Sequence, residues 1–400
     1  MGHGIQFATI RLIVITLVVT TQIYLFLRIW QAIRSSFRSN RFKSVATVMV
    51  GLAILLLFFA NRYIALKPIP WADPPLEAQV ILFYLPAVWG FASIFSALIL
   101  FVIQIVAGMG RMVVRIFRSP ISQSASAPVD LERRHLFQVG VGGLATAPFI
   151  ISGYGAIFSS KAFKVRELTL TFGLPLRIIQ LTDIHAGIYM RRQELRRLAD
   201  QVIALQPDLL ALTGDYISNS MEFLPSCVEE MARIRARYGT FASLGNHEHW
   251  YGEVNAIKAI FSQYNVPLLV NTHKLIHTEH GALAVAGIDD LRSGRPDLHA
   301  ALNGLDSTVP TILLSHRPEI FPLAAANGIP LTLSGHYHGG QIKLNLPGGD
   351  ISLATFMTSY PEGPYRIDRS HLYVSSGIGT TFTPIRLNDP PEITVLNLTV

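Results

Sequence analysis

The sequence predicts a transmembrane region of four helices, followed by an α/β domain built on two packed sheets. Four long apolar segments fill the first 160 residues. From residue 161 onward, short apolar runs alternate with amphipathic stretches, which is the rhythm of parallel strands joined by crossover helices. The charge balance changes at the same place: residues 1–160 hold 13 Lys and Arg against 4 Asp and Glu, whereas residues 161–400 hold 20 against 22. We therefore divide the chain into a membrane region, 1–160, and a soluble domain, 161–400.

The apolar segments are each long enough to cross a bilayer. A hydrocarbon core of about 30 Å needs roughly 20 apolar residues in a helix. The predicted spans are about 7–29, 44–61, 79–110 and 136–160. No Asp or Glu lies within them, and an intramembrane acid is the usual mark of an ion pathway. This pattern favours an anchor over a transporter.

The loops between the spans predict the orientation of the chain. Loops 31–43 and 111–135 are basic, whereas the loop 65–78 between them has Lys67 as its only basic residue. The positive-inside rule places both basic loops in the cytoplasm, so the soluble domain lies outside. Arg133-Arg134, just before the fourth span, also looks like a twin-arginine export signal. The alternative is an ordinary pair of positive-inside residues, and both interpretations put the domain outside.

The soluble domain begins with alternating strands and helices. Strands are predicted at 176–182, 208–213 and 239–244, with helices at 191–205, 222–236 and 253–263. The pattern then shifts to short strands within 266–288 and strands at 311–315, 331–334, near 372–376 and at 393–399. Two packed sheets with helices on their outer faces would bury these apolar runs.

Five polar motifs each follow one of the predicted strands. They are Asp183-Ile184-His185, Gly214-Asp215, Gly245-Asn246-His247, Ser315-His316 and Gly335-His336-Tyr337-His338. Ligands of α/β sheets gather at the carboxyl ends of strands, so we expect these side chains to meet. Carboxylate, amide and imidazole donors suit divalent Mn, Fe or Zn alike. The candidate metal ligands are Asp183, His185, Asp215, Asn246, His316, His336 and His338.

This donor set suits hydrolysis at phosphorus. Two ions about 3.5–4 Å apart can hold the attacking and leaving oxygens of an in-line displacement, with a metal-bridging hydroxide as the nucleophile. Asp215 has two carboxylate oxygens and could bridge the ions. His247 adjoins the candidate ligand Asn246 without needing to bind metal itself, so we expect it to act as the general acid.

The motifs resemble those of the calcineurin-like metallophosphoesterases. The family pattern D-x-H, G-D, G-N-H-[DE], H and G-H-x-H is complete here, and the resemblance covers residues 176–400. It implies a four-layer α/β/β/α sandwich with His247 as proton donor. It also implies that one ion is held by Asp183, His185, Asp215 and His338, and the other by Asp215, Asn246, His316 and His336. Residues 333–341 and 376–380 are similar to a membrane-associated bacterial subgroup, which implies the inner (plasma) membrane as the location.

The expected function is a membrane-anchored phosphoesterase that cleaves a phosphate ester or pyrophosphate bond. Its expected partners are the lipid bilayer and a phosphorylated substrate, and a tether at the bilayer favours a lipid-linked one. Two alternatives stay open: a non-catalytic sensor or transport accessory that uses the fold to bind a ligand, and a nucleotide phosphodiesterase. The small negative balance of residues 161–400 argues against a nucleic-acid partner.

The sequence does not assign a specific functional role to three further sites. Arg386 could contact a phosphate or form a structural salt bridge. Glu248 could shape the pocket rim or serve packing. Asp289-Asp290 is expected to be a solvated turn. The single cysteine, Cys227, excludes a disulfide within the chain.

Overall fold

The computed structural model describes residues 2–66, 75–117 and 131–400. The chain divides into two compact units, the first ending at Tyr154 and the second consisting chiefly of Gly155–Val400. Residues 67–74 of the 65–78 loop and residues 118–130 of the basic loop 111–135 lie outside the described residues.

The first unit is a set of long apolar helices. They are α1 (Gly2–Ser36), α2 (Asn40–Leu66), α3 (Leu76–Gln79), α4 (Leu85–Phe117) and α5 (Leu131–Ile157), with a π-helical turn at Val80–Tyr84 joining α3 to α4. Four stretches are long and apolar enough to cross a membrane: Ile15–Ser36, Asn40–Tyr63, Glu77–Arg115 and His135–Lys161. The prediction of four apolar helices ahead of an α/β domain is confirmed.

Polar side chains inside this unit hydrogen-bond between helices. The Gln22 amide of α1 donates to Ser93 Oγ of α4 at 2.9 Å and accepts from Trp89 Nε1 at 2.8 Å. Asn61 of α2 donates to the Pro86 carbonyl at 2.8 Å. In a bilayer such groups have no water to bond with, so these contacts hold the helices together.

The second unit contains the strands and the shorter helices. The strands are β1 (Lys164–Thr171), β2 (Leu176–Leu181), β3 (Leu209–Thr213), β4 (Thr240–Ser243), β5 (Thr272–Thr278), β6 (Gly281–Gly287), β7 (Thr311–Leu314), β8 (Leu331–Ser334), β9 (Lys343–Leu346), β10 (Gly349–Ser352), β11 (Gly363–Ile367), β12 (Ser370–Val374) and β13 (Glu392–Thr399). The helices are α6 (Arg192–Ala204), α7 (Leu224–Ala232), α8 (Asn246–Tyr251), α9 (Val254–Gln263), α10 (Leu298–Leu302) and α11 (Phe321–Ala326).

These strands form two main sheets and a hairpin. The first sheet has the order β1-β13-β2-β3-β4, and β2, β3 and β4 run parallel. The second has the order β11-β12-β8-β7-β6-β5, and β6, β7, β8 and β12 run parallel. Strands β9 and β10 form a separate antiparallel hairpin. The parallel pairing follows the predicted alternation of strands and helices.

The core shows how the layers stack. Side chains of both sheets, such as Ile178 and Leu314, share one buried cluster between them. Helices α6, α7 and α9 cover the outer face of the first sheet, where Leu212 belongs to their cluster. Helices α10 and α11 cover the second sheet, around Leu313. The order helix, sheet, sheet, helix is the predicted four-layer sandwich.

The sequence did not predict several of the strands. Strand β1 lies at a sheet edge and exposes most of its side chains, so its sequence lacks a buried apolar run. The hairpin β9–β10 and strand β11 lie in a stretch rich in Gly and Pro that predicted no strands. Such short or edge strands are specified by pairing partners far along the chain, and local periodicity does not reveal them.

Candidate metal centre

The five motifs all lie just beyond the carboxyl ends of strands, as the sequence predicted. In the first sheet, β2, β3 and β4 are followed by Asp183, Asp215 and Asn246. In the second sheet, β7 and β8 are followed by His316 and His336. Because parallel strands of both sheets end at this edge, their loops converge on one buried site.

Five of the candidate ligands have a left-handed backbone. Positive φ is uncommon for residues other than glycine, and such strained conformations cluster at functional sites. The residues are Asp183 (φ 52°), His185 (φ 49°), Asp215 (φ 53°), His336 (φ 77°) and His338 (φ 52°). The sharp turn after each strand aims these side chains into the site.

One cluster of donor atoms is built from Asp183, His185 and His338. His338 Nε2 lies 3.2 Å from Asp183 Oδ1 and 3.1 Å from His185 Nε2. Asp215 Oδ2 lies 3.8 Å from His185 Nε2. This spacing could hold a metal ion, since the ligand atoms of the first three residues lie within 4.8 Å of one another.

A second cluster shares Asp215. His316 Nε2 lies 3.2 Å from Asp215 Oδ2, and His336 Nδ1 lies 3.2 Å from His316 Nε2. The ligand atoms of these three residues also lie within 4.8 Å of one another. Asn246 Oδ1 joins this cluster through Arg317, whose guanidinium contacts both Asn246 and His336. The structure thus brings together all seven candidate ligands.

The donor chemistry fits divalent ions. Asp183 Oδ1 is buried and accepts no hydrogen bond from any residue that the structure describes. His316 Nδ1 donates to the Thr213 carbonyl at 2.9 Å, which turns Nε2 towards Asp215. Metal-binding histidines are commonly oriented by such an outer hydrogen bond.

Two imidazoles are held in the neutral form that binds metal. Burial lowers the pKa of His185 well below its usual value, and the neighbouring His247 lowers it further. Burial also lowers the pKa of His336, with His316 contributing. A neutral imidazole has a ring nitrogen with a free lone pair for a cation.

The carboxylate at the centre stays ionised. Burial alone would raise the pKa of Asp215, but the neighbouring His316 and His247 hold it well below its usual value. A buried, ionised carboxylate needs a positive partner. His316 supplies it: burial alone would lower the pKa of His316, but Asp215 and Asp183 raise it to about 10, so its imidazolium pairs with Asp215 at 3.2 Å. A metal ion between the two clusters would replace that charge.

His247 lies beside both clusters at the edge of the site. Its side chain is 12% exposed, and Nε2 lies 3.9 Å from Asp215 Oδ2. Nδ1 donates to the Ser218 carbonyl at 2.6 Å, which fixes the ring and leaves Nε2 as the nitrogen that faces the site. The backbone N–H of His247 donates to Asp215 Oδ1 at 2.9 Å.

Two glycines make room for the carboxylates. A methyl group on Gly245 would collide with the Asp215 carboxylate, and one on Gly335 would collide with that of Asp183. Each motif therefore needs glycine for close approach rather than for flexibility alone.

Glu248 is a site residue whose role the sequence left open. It is fully buried and accepts backbone hydrogen bonds from Asp215 (2.9 Å), Tyr216 (2.8 Å) and Gly245 (2.9 Å). Burial raises its pKa to about 7, with the Asp215 charge adding to the effect. Glu248 therefore fixes the loops that carry the shared carboxylate, and it does not lie at the rim.

The other open interpretations are resolved by burial. Arg386 is 0% exposed and donates to the backbone carbonyls of Ser376, Gly379 and Asp389, which favours the structural role. The expectation of a solvated turn at Asp289-Asp290 was wrong, because Asp290 is 1% exposed and pairs with Arg317. No local signal marked this pairing across 27 residues.

Comparisons with known proteins identify the type of domain that carries this site. Residues 176–340 match the family model described as calcineurin-like phosphoesterase. The chain contains a calcineurin-like metallophosphoesterase domain. This metallophosphoesterase domain belongs to a metal-dependent family of phosphohydrolases, and its clustered His and Asp residues could hold the metal.

Relatives extend the metallophosphoesterase match beyond the family model. The chain is 28% identical to the uncharacterised metallophosphoesterase YkuE of Bacillus subtilis over 280 residues, which cover 67% of this chain and 98% of that protein. It is 32% identical to an uncharacterised metallophosphoesterase of Campylobacter jejuni, over 56% of this chain and 59% of the relative. It is 29% identical to a transmembrane protein with metallophosphoesterase domain of Danio rerio, over 68% of this chain and 65% of the relative. Transmembrane relatives and four candidate spans make this a membrane protein.

Proposed function

We propose that this protein is a membrane-anchored phosphoesterase with two divalent ions, Mn, Fe or Zn, acting outside the cytoplasm on a lipid-linked phosphate ester or pyrophosphate. The observation that carries the proposal is the pair of donor clusters that share Asp215. The first ion would be held by Asp183, His185, Asp215 and His338, and the second by Asp215, Asn246, His316 and His336.

Bound ions would activate a water molecule and screen the negative charge of the phosphate. The chain's own residues orient these parts. His316 is fixed by the Thr213 carbonyl, and Asp215 is fixed by the N–H of His247. These contacts keep the ligand atoms in place before a substrate arrives, which lowers the cost of reorganisation.

His247 has the geometry of the proton donor. The Ser218 carbonyl holds its Nδ1–H, so a proton carried on Nε2 faces the site. Transfer of that proton to the leaving oxygen would typically account for about 10²–10⁴ of the rate.

Exposed apolar residues support the lipid-linked substrate. Leu344 (62% exposed) and Ile351 (41%) are directly paired across the β9–β10 hairpin, and Leu346 lies on the same face. The opposite face is buried only at the base of the hairpin, at Lys343 and Ser352, and carries the exposed polar pair Asn345 and Asp350 further out. Phe356, 79% exposed, follows the hairpin. A sheet face that turns its apolar side to solvent indicates an apolar partner.

The hairpin lies next to the metal-binding motif. A methyl group on Gly340, two residues after His338, would touch Ser352 of β10. An apolar chain lying on the hairpin would therefore bring an attached phosphate close to the site.

Hydrolysis of bis-p-nitrophenyl phosphate by the purified full-length protein, with and without added Mn²⁺, tests the reaction class. We expect metal-dependent activity that is lost in Asp215→Ala together with bound metal. His247→Ala should keep its metal and lose activity, and exposed His277→Ala should retain both. Undiminished turnover in Asp215→Ala and His247→Ala would refute the assigned mechanism. Absence of metal in protein purified without chelators would favour a non-catalytic role.

A substrate screen tests the finer proposal. Phospholipids, nucleotide-linked glycolipids and free nucleotides would be compared at equal concentration. Preference for a lipid-linked substrate is the expected result, and preference for a free nucleotide would indicate the nucleotide phosphodiesterase instead.

A further inference from the structure

Arg317 follows the candidate ligand His316 and is anchored along one edge. Its side chain is 6% exposed, and Nε donates to Asp290 Oδ1 at 2.9 Å. Asp290 is itself fixed, because its Oδ2 accepts the backbone N–H groups of Arg292 (3.1 Å) and Ser293 (2.7 Å). The guanidinium is thus held in one orientation.

The other edge of the guanidinium faces the second donor cluster. Nη2 donates to Asn246 Oδ1 at 3.2 Å, and Nη1 contacts His336 Nε2. Within the part of the chain that the structure describes, these side chains are the hydrogen-bond partners of the two terminal nitrogens. Both partners are candidate ligands of an ion.

Ligation and this contact compete for the same lone pairs. His336 Nδ1 is the nitrogen next to His316, so it is the atom placed to bind an ion. A neutral imidazole that gives its Nδ1 lone pair to an ion carries its proton on Nε2, where it can no longer accept from Arg317. Asn246 Oδ1, when it serves as a ligand, is likewise a weaker acceptor. The bond from Nε to Asp290 is unaffected.

When an ion is bound, the buried and charged guanidinium of Arg317 would therefore lack acceptors for its terminal N–H groups. Such groups are costly to bury unless they find a partner. The planar guanidinium fork matches two oxygens of a phosphate group. We propose that Arg317, held in place by Asp290, binds the phosphate group of the substrate. This inference rests on the proposed phosphoesterase function.

Arg386, which also contacts a candidate ligand, differs from Arg317 in its other hydrogen-bond partners. Its Nη2 lies 3.3 Å from His338 Nδ1 but also donates to the carbonyls of Ser376 (2.8 Å), Gly377 (3.1 Å) and Gly379 (2.7 Å). Ion binding by His338 would leave these carbonyl bonds in place. Of Arg317 and Arg386, Arg317 is the one that would be left needing an oxyanion.

Calorimetric titration of inorganic phosphate into Mn²⁺-loaded full-length protein tests the proposal, with metal content measured on the same samples. We expect Arg317→Gln to keep the wild-type metal content while phosphate affinity falls about 10- to 100-fold, as for the loss of a charged hydrogen-bonding partner. Arg317→Lys should retain part of the affinity, since it keeps the charge without the fork. Asp290→Asn, which preserves an acceptor oxygen, should lower the affinity less. The matched control is Arg292→Gln, an exposed arginine of the neighbouring loop, which should change nothing.

The outcomes separate this proposal from the function on which it rests. Unchanged phosphate affinity in folded Arg317→Gln and Arg317→Lys would overturn the role of Arg317 alone. Metal content that falls in step with phosphate binding would show that Arg317 only supports the ligands, which also overturns it. Wild-type protein that holds no metal and binds no phosphate would refute the phosphoesterase function itself.

Discussion

At the scale of single residues, the site combines ionised carboxylates with neutral and charged imidazoles inside a buried space. Burial lowers the pKa of His185 and His336, whereas the histidines around Asp215 keep that carboxylate charged. These opposite effects keep His185 and His336 neutral and Asp215 charged, which are the forms that a cation needs. The left-handed backbone at Asp183 and Asp215 is a strained conformation, and it directs both side chains into the site.

Glu248 should prove essential to the order of the site. In Glu248→Gln, one of the two carboxylate oxygens becomes an NH₂ group, so that either the Tyr216 N–H or the N–H groups of Asp215 and Gly245 lose their acceptor. We expect a loss of about 1–3 kcal/mol in the free energy of unfolding, the cost of unsatisfied buried donors. Thermal unfolding of wild type and variant measures this loss of stability. Exposed Glu253→Gln is the control, and an equally small effect of both substitutions would contradict the role.

His249 should make stability depend on pH. The hydrogen bond to Asp289, 2.6 Å from His249 Nε2, raises the pKa of His249 above its ordinary 6.5. A raised histidine pKa stabilises the fold fully below the unfolded pKa, and that stability is lost as pH rises through the folded pKa. We expect the melting temperature to fall from neutral towards alkaline pH.

The variant His249→Gln should flatten that decline, whereas exposed His277→Gln should leave it as in wild type. Melting curves at several pH values between 6 and 9 would show this. An identical slope in wild type and His249→Gln would exclude the pair as its source.

At the scale of elements, two parallel sheets supply the site from one edge. Strands β2, β3 and β4 of one sheet and β7 and β8 of the other all end there. Gly245 and Gly335 permit the close approach of the two sets of loops. These strands could be predicted from the sequence because buried parallel strands form continuous apolar runs.

The β9–β10 hairpin should matter for lipid substrates alone. Leu344→Asn with Leu346→Asn would make its outward face polar without touching a metal ligand. We expect turnover of phospholipid in vesicles to fall several-fold, while turnover of bis-p-nitrophenyl phosphate stays constant. Leu323→Asn, an exposed leucine on α11, is the matched control. Equal losses on both substrates would indicate a general structural defect instead.

At the scale of the whole molecule, charge asymmetry predicts which side of the membrane carries the catalytic domain. The basic loops 31–43 and 111–135 should remain in the cytoplasm. Alkaline phosphatase fused after residues 70 and 165 should be active, and fusions after 40 and 120 should be inactive. High activity at 40 or 120 with none at 165 would reverse the orientation.

The sequence alone determined the kinds of donor atoms, their order, and their position after apolar runs. Those features are local, because side-chain chemistry and periodicity depend only on residues that are near one another in the sequence. They sufficed to predict two packed sheets, four apolar helices and the seven residues that the structure brings together.

Only the tertiary structure decided which groups surround those donors. Arg317 meets Asp290 and Asn246, which are 27 and 71 positions away, and Glu248 holds a loop more than 30 residues before it. Such partners are fixed by the order of strands in the two sheets and by burial, which makes an unpaired charge costly. For that reason a pair that looked like a solvated turn, Asp289-Asp290, became a buried support beside the candidate metal centre.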